Sequence, residues 1–132
     1  MLFGGFKPAA LERVARWGDG FLAAAAPSWA GGLFDTVRTL WAEHGRDGAP
    51  RIVAQVNVAL GPAEVIEDAR TAIGAYYAFT ERPAYMVDGL LTSAGQIRAA
   101  IAQFADLGAD EVMLYCHGRD AGQVDRLADI LA

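Results

Sequence analysis

The sequence is poor in the residues that disulfide frameworks and metal centres require. Among 132 residues there are one cysteine, Cys116, and two histidines, His44 and His117. A single thiol excludes a disulfide within the chain and is typical of a reducing compartment. Two distant histidines and one cysteine give no metal-ligand spacing, so we expect no metal site.

Basic charge and long apolar runs are also scarce. Lysine and arginine number 11 against 16 acidic residues, which gives a net charge of −5, and they form no stripe that would suit nucleic acid. No apolar run reaches the roughly 18 residues of a membrane span. The first residues lack the basic and apolar regions of a secretory signal. We therefore expect a cytoplasmic protein without a nucleic-acid or membrane partner.

The chain does have the composition and the patterning of a packed α/β domain. Hydrophobic residues make up 54% of it, so we expect one domain over residues 1–132. Strand and helix signals alternate, which predicts four β/α units with a parallel sheet. The expected strands are 1–3, 21–24, 51–60 and 111–115. The expected helices begin near residues 8, 29 or 31, 62, 93 and 120, and a short helix or irregular segment covers 81–91.

Period-two alternation in the third strand separates two faces. Ile52, Ala54, Val56 and Val58 share one apolar face, which suits packing against helices. Gln55 and Asn57 share the other face, which would point into a barrel. The two amides can belong to a site, or they can simply hydrogen-bond each other.

A glycine pair opens the most informative stretch, Gly4-Gly5-Phe6-Lys7 followed by Pro8. Adjacent glycines permit positive φ and close approach of a ligand. Proline suits the first helical position, and a helix N-terminus attracts anions through its free N–H groups and its dipole. With the charge of Lys7 added, the turn predicts a phosphate site, although a ligand-free strand-to-helix turn would use the same glycines.

The same stretch resembles a segment of luciferase-like flavin oxidoreductases. That segment reads Gly-Gly…Ala-Ala-x-x-Arg-x-Ala-x-x-Gly-Asp-Gly-Phe, and here the glycine pair is followed by Ala9-Ala10, Arg13, Ala15 and Gly18-Asp19-Gly20-Phe21. The likeness continues in the loop Gly45-Arg46-Asp47-Gly48. It extends through the helix from Thr92 to the turn Gly108-Ala109-Asp110-Glu111, although Leu91 and Ser93-Ala94 depart from the family's usual residues around Thr92.

The resemblance implies a fold, a cofactor and a site. The family's fold is a (β/α)8 TIM-like barrel, and the likeness covers only its C-terminal half, so we expect four parallel β/α units that form half of a barrel. In the family the glycine pair helps to hold the phosphate of FMN or a deazaflavin coenzyme. The resemblance therefore assigns cofactor binding to Gly4, Gly5, Phe6 and Lys7, and it identifies no catalytic residue.

Three functions remain open. The first is a flavin- or deazaflavin-dependent oxidoreductase or monooxygenase that lacks the first half of the barrel. The second is a non-catalytic relative that binds a phosphorylated ligand or only self-assembles. The third is a different phosphate-binding half-barrel enzyme, an isomerase or a lyase. Whether it is an enzyme is therefore undecided. Four units cannot close an eight-stranded barrel, so we expect a homodimer or a partner chain to cover the open sheet.

The loop after the last strand carries further candidates. His117 could act as a general acid or base, and Arg119 could meet an anion. A loop residue without a ligand is the plainer interpretation of both. Cys116 has no obvious base beside it and is not expected to be a nucleophile.

Overall fold

The computed structural model describes all 132 residues and contains four strands and six helices. In chain order the elements are β1 (Leu2–Gly4), α1 (Pro8–Trp17), β2 (Gly20–Ala23), α2 (Pro27–Glu43), β3 (Arg51–Val58), α3 (Ala63–Tyr76), α4 (Pro83–Asp88), α5 (Ala94–Asp106), β4 (Glu111–Cys116) and α6 (Gly122–Leu131). None of the helices combines the length and the apolar character that crossing a bilayer requires.

The strands form one sheet in the order β1-β2-β3-β4. The pairings of β1 with β2 and of β2 with β3 are parallel, and their register aligns Gly4 with Leu22 and Leu22 with Val53. By residue contacts the chain divides into two compact units, Met1–Gln55 with Ile101–Met113 and Val56–Ala100 with Leu114–Ala132. The prediction of a single domain over 1–132 stays a prediction.

The first unit is held together by an aromatic and aliphatic core under its strands. Helix α1 buries Leu11, Val14 and Ala15, as their helical spacing predicts, and ends at Gly18. Phe21 and Phe34 pack edge to face, with ring centroids 6.3 Å apart. Such a pair suits aromatic quadrupoles and adds to the burial of two large side chains.

The amino end of β4 is fastened to β3 by acidic side chains of the Gly-Ala-Asp-Glu turn. Asp110 accepts the N–H of Ile52 at 2.8 Å, and Glu111 forms an ion pair with Arg51. Gly108, at φ +81°, ends the preceding helix, and its carbonyl accepts a hydrogen bond from Arg38 at 3.0 Å. This part of the family-like pattern therefore has a structural role.

The second unit has a smaller core between α3 and the short helix α4. Its buried residues are Ala59, Ala69, Ile73 and Leu90, and half-buried side chains of α4 pack against them. Residue Leu91 forms a single parallel bridge with Val58 at the end of β3. The segment 81–91 is thus a short helix followed by a bridge, which agrees with the predicted short helix.

Several helical faces and ends differ from expectation. The spacing predicts Leu33, Val37, Leu40 and Trp41 as the buried face of α2. Val37 and Trp41 are buried as predicted, whereas Ala30 and Phe34 are buried and Leu33 and Leu40 are only half-buried. The helix begins at Pro27, before either expected start.

Helix α3 stops at Tyr76 rather than at residue 80, and Tyr76 itself is 67% exposed. The spacing predicts a helix over 62–80 with one apolar stripe, Ile66, Ala69, Ile73, Tyr76 and Tyr77. Apart from Tyr76 that stripe is confirmed, because Ala69 and Ile73 are buried and Ile66 and Tyr77 pack against them. The backbone leaves the helix at Tyr77, whose N–H still bonds to Ile73.

The apolar spacing predicts an inward face of Val124, Leu127, Ala128 and Leu131 for α6, and this prediction was wrong in part. Val124 and Leu131 are 63% and 52% exposed, and only Leu127 of the expected set is buried. Gln123 takes the inward place instead, because its side chain bonds to two backbone groups of the second unit. Asp120 was expected to cap this helix, and the N-cap residue is instead Ala121; Asp120, one position earlier, accepts the N–H of Gly122 at 2.9 Å.

Candidate functional site at the ends of the strands

The turn between β1 and α1 is built around Gly5. Its φ is +129°, and a Cβ placed there would lie 2.6 Å from the Cβ of Ala10. A Cβ on Gly4 would lie 3.1 Å from the carbonyl oxygen of Leu22 on the neighbouring strand. Gly5 is therefore required by the fold itself, whether or not a ligand is present, and a side chain at Gly4 would press on the backbone of β2.

The start of α1 is open to an anion. Lys7 is the N-cap residue in an extended conformation, and no side chain caps the helix. The first turn contains no acidic residue, and Pro8 is its first residue. The side chain of Lys7 is exposed and makes no ion pair. Within that turn Pro8 has no N–H, and the N–H groups of Ala10 and Leu11 both donate to the carbonyl of Lys7, at 2.9 and 3.2 Å. The positive end of the helix dipole and the exposed ammonium group of Lys7 are therefore the features that suit a phosphate.

An aromatic pair flanks this turn. Phe6 and Trp29, at the beginning of α2, lie with ring centroids 5.2 Å apart, and they are 48% and 39% exposed. The sequence alone favours Trp29 as a core or interface residue rather than as part of a cofactor site. Its placement beside Phe6 follows from the pairing of β1 with β2, which brings the two strand-to-helix turns together. Only the predicted parallel pairing of these strands could have indicated this contact from the sequence.

The second unit brings His117 and Asn57 together at the carboxyl ends of β4 and β3. The Nε2 atom of His117 lies 3.0 Å from Oδ1 of Asn57, and the ring of Tyr115 lies 5.1 Å from that of His117. Burial lowers the pKa of His117 below the ordinary 6.5, since the charged imidazolium is harder to desolvate. At neutral pH the imidazole is therefore neutral.

The backbone around His117 is held by a buried glutamine. Gln123, 1% exposed, donates from Nε2 to the carbonyl of His117 at 2.7 Å and accepts the N–H of Leu60 at 3.3 Å. Gly118 turns the chain at φ +90°. The N–H of Arg119 donates to Asp68 at 2.9 Å, and the Arg119 side chain stays exposed without an ion pair.

Two further candidates, Cys116 and Gln55, have less support for a functional role. Burial raises the pKa of the Cys116 thiol, so the thiolate that a nucleophile needs is disfavoured. Gln55 is half-buried in the first unit and makes no side-chain hydrogen bond. No group of three or more His, Cys, Asp or Glu side chains is placed to hold a metal ion.

A family model described as luciferase-like monooxygenase matches residues 1–129. The chain therefore belongs to the luciferase-like monooxygenase family, as the glycine-pair segment and the Gly-Ala-Asp-Glu turn predicted. No curated protein sequence matches the chain closely enough to be counted as a relative.

Solved structures of similar fold are about twice as long as this chain. An F420-dependent secondary alcohol dehydrogenase, solved with an F420-acetone adduct, is 17% identical with a TM-score of 0.76, over 98% of this chain and 47% of its own. The apo form of MsnO8 is 19% identical with a TM-score of 0.58, over 98% and 48%. The coenzyme F420-dependent tetrahydromethanopterin reductase of Methanopyrus kandleri is 12% identical with a TM-score of 0.57, over 85% and 43%.

These likenesses confirm the predicted fold class. Four parallel strands alternate with helices and correspond to half of a luciferase-like TIM barrel. The chain spans less than half the length of each of the three solved structures. At identities below 20% these likenesses establish the fold alone.

Proposed function

We propose that this chain is the coenzyme-phosphate half of a luciferase-like oxidoreductase, and that the Gly4–Lys7 turn contacts the phosphate of a deazaflavin such as F420 or of FMN. The observation that carries the proposal is the uncapped start of α1 beside the free ammonium group of Lys7. Family membership supports it, and two of the similar solved structures are F420-dependent by name.

The residues of the turn have separate roles in this proposal. Gly4 and Gly5 bring the backbone to the start of the helix, and Lys7 neutralises the phosphate charge. Phe6, which packs beside Trp29 with the ring planes inclined at 59°, presents a half-exposed apolar surface next to the anion. When bound, the coenzyme supplies the hydride or oxygen chemistry, and this chain orients it.

A titration of the chain with F420 and with FMN, followed by coenzyme fluorescence, tests the proposal. We expect saturable binding that Lys7→Glu weakens by about tenfold or more, because a charge-assisted contact is lost. The matched control is Arg13→Glu, which makes the same charge change at an exposed position of the same helix that has no ion pair. Equal binding by both variants would contradict the phosphate assignment.

Gly5→Asp is a harsher test that needs a stability control. Any side chain at Gly5 is strained by the positive φ and by Ala10, so loss of binding counts only where circular dichroism shows a folded variant. Failure of wild-type chain to bind either coenzyme would favour the second function, a non-catalytic relative. Family membership leaves no observation that favours the isomerase or lyase.

We also propose that a second copy of the chain or a partner chain covers the open sheet. The sheet ends in β1 and β4, both edge strands, and Leu2 and Met113 remain 38% and 40% exposed. Light scattering should give twice the 14.0 kDa of one chain for the homodimer. A stable monomer at high dilution would exclude the homodimer and point to a separate partner. The cytoplasmic location stays a prediction.

A further inference from the structure

We propose that His117 and Asn57 form a ligand subsite for a planar ring compound that carries a hydroxyl group. The imidazole accepts the hydroxyl hydrogen at Nδ1, and the ring of Tyr115 provides a surface for the ligand ring. This subsite lies in the second unit and does not depend on the proposed phosphate contact in the first.

The first step is the orientation of the imidazole. Nε2 of His117 lies 3.0 Å from Oδ1 of Asn57, and an amide oxygen can only accept, so Nε2 carries the hydrogen. In a neutral imidazole the other nitrogen is then a bare acceptor. Nδ1 has no hydrogen-bond partner in the protein, and the residue is half-buried rather than enclosed.

The second step is the rigidity of the support. The backbone of His117 donates to the carbonyl of Val58 at 3.4 Å and accepts from Gln123 at 2.7 Å. Gln123 is the chain's buried polar side chain, and it also holds Leu60 in the loop after β3. An imidazole attached to a backbone fixed on both sides, with an open acceptor atom, is preorganised for binding.

The third step concerns the chemistry of the occupant. Tyr115 is 51% exposed, and its ring centroid lies 5.1 Å from that of His117 with the planes inclined at 53°. The half-exposed ring of Tyr115 offers an aromatic surface against which a ligand ring can pack. Because burial keeps His117 neutral at pH 7, the acceptor suits a hydroxyl donor rather than an anion.

Nitrogen-15 NMR of the two histidine rings gives the first readout and needs no coenzyme. We expect His117 in the Nε2–H form, and a dominant Nδ1–H form would overturn the proposal. In Asn57→Ala the Nδ1–H form should gain population. An unchanged tautomer ratio would show that Asn57 does not orient the ring.

Phenol is the probe, and anisole, which lacks the donor hydrogen, is its matched control. Phenol should shift the His117 ring signals saturably, whereas anisole should bind about tenfold more weakly, as expected for the loss of one hydrogen bond. His44, which pairs with Glu12 in the other unit, is the internal control and should not shift. Equal shifts with both probes, equal shifts at both histidines, or no shift would overturn the subsite.

His117→Phe keeps a ring of similar size and removes the acceptor. It should abolish the preference for phenol over anisole, and retention of that preference would refute the role of Nδ1. Arg119→Ala, at the exposed neighbour, should leave phenol binding unchanged. Because coenzyme binding is measured separately, failure of this subsite and failure of the phosphate contact are distinguishable.

Discussion

The guanidinium group of Arg46 lies over the ring of Trp41, with its Cζ 3.6 Å from the ring centroid. From that position its Nη1 donates to the carbonyls of Ala15 at 3.1 Å and Gly18 at 2.6 Å, where α1 ends. The loop after α2 thus supplies the hydrogen bonds that the end of α1 lacks. The Gly45–Gly48 loop, one of the family-like features, therefore has a structural role, because its Arg46 stabilises the end of α1.

Replacing Arg46 should lower stability. Arg46→Ala removes two charge-assisted hydrogen bonds and a cation–π contact, so we expect a loss of about 2–3 kcal/mol in the free energy of unfolding. Arg46→Lys keeps the charge without the planar stack and should fall between. Urea unfolding measures both, with the exposed Arg13→Ala as control. A change of under about 0.5 kcal/mol for Arg46→Ala would mean that the contact contributes little.

Two glycine substitutions should have opposite effects. Gly5→Ala places a Cβ 2.6 Å from that of Ala10 at φ +129°, so we expect a loss of about 1–3 kcal/mol. Gly32→Ala lies within α2 with no atom within 4 Å of the new Cβ, and it should gain about 0.5–1 kcal/mol from helix propensity. Thermal unfolding of the two variants checks the signs, and a stabilised Gly5→Ala would contradict the described turn.

The buried Gln123 should resist replacement by an apolar side chain of similar size. Gln123→Met leaves the N–H of Leu60 and the carbonyl of His117 without their partner, and we expect a loss of about 2 kcal/mol or more. Gln103→Met, on the exposed side of α5, is the matched control and should change stability little. If both variants unfold at the same urea concentration, the two bonds of Gln123 do not stabilise the fold.

Stability should fall on mild acidification. Because burial holds the pKa of His117 below 6.5, the folded chain binds fewer protons than the unfolded chain just under that pH. The contribution of His117 to the free energy of unfolding is complete above pH 6.5, the pKa of the unfolded chain. It is lost as the pH falls from there toward the lower pKa of the folded chain. Unfolding measured from about pH 7.5 to about pH 5 should show this decline, and His117→Gln should flatten it. If the substitution leaves the pH dependence of the free energy of unfolding unchanged, a group other than His117 causes the decline.

Asp120 acts in a more acidic range and with a different cause. The hydrogen bond from Arg126, at 2.8 Å, holds the pKa of Asp120 below its usual 3.8. Its contribution is present above that value and is lost as the pH falls through the lower, folded pKa. The two titrations therefore occupy separate windows of one pH series.

Periodicity predicted the elements better than it predicted their faces. In α1 the spacing of Leu11, Val14 and Ala15 was sufficient, because the helix has one apolar side. In α6 the apolar residues Val124 and Leu131 suggested the wrong side, since the polar Gln123 finds two backbone partners and turns inward. A pattern of apolar residues cannot report a polar contact with a distant carbonyl.

In the candidate site, too, the sequence predicted the local features and did not predict the contacts between distant residues. The glycine pair and the helix start were visible in the sequence because both are local, within residues 4–8. Gln55 and Asn57 were predicted on one face by alternation, whereas the hydrogen bond of Asn57 with His117 joins residues 60 positions apart and forms only when the segment between them folds. The placement of Trp29 beside Phe6 likewise came from the strand pairing.

The sequence by itself determined the family, the alternation of strands and helices and the glycine-pair turn before α1, because these depend on neighbouring residues and on spacing along the chain. Only the tertiary structure decided which polar atoms meet. It paired Asn57 with His117, joined Arg46 to the end of α1 and turned Gln123 inward. The physical reason is that hydrogen bonds between distant residues depend on positions set by the packing of the whole sheet and its helices, which local periodicity does not encode.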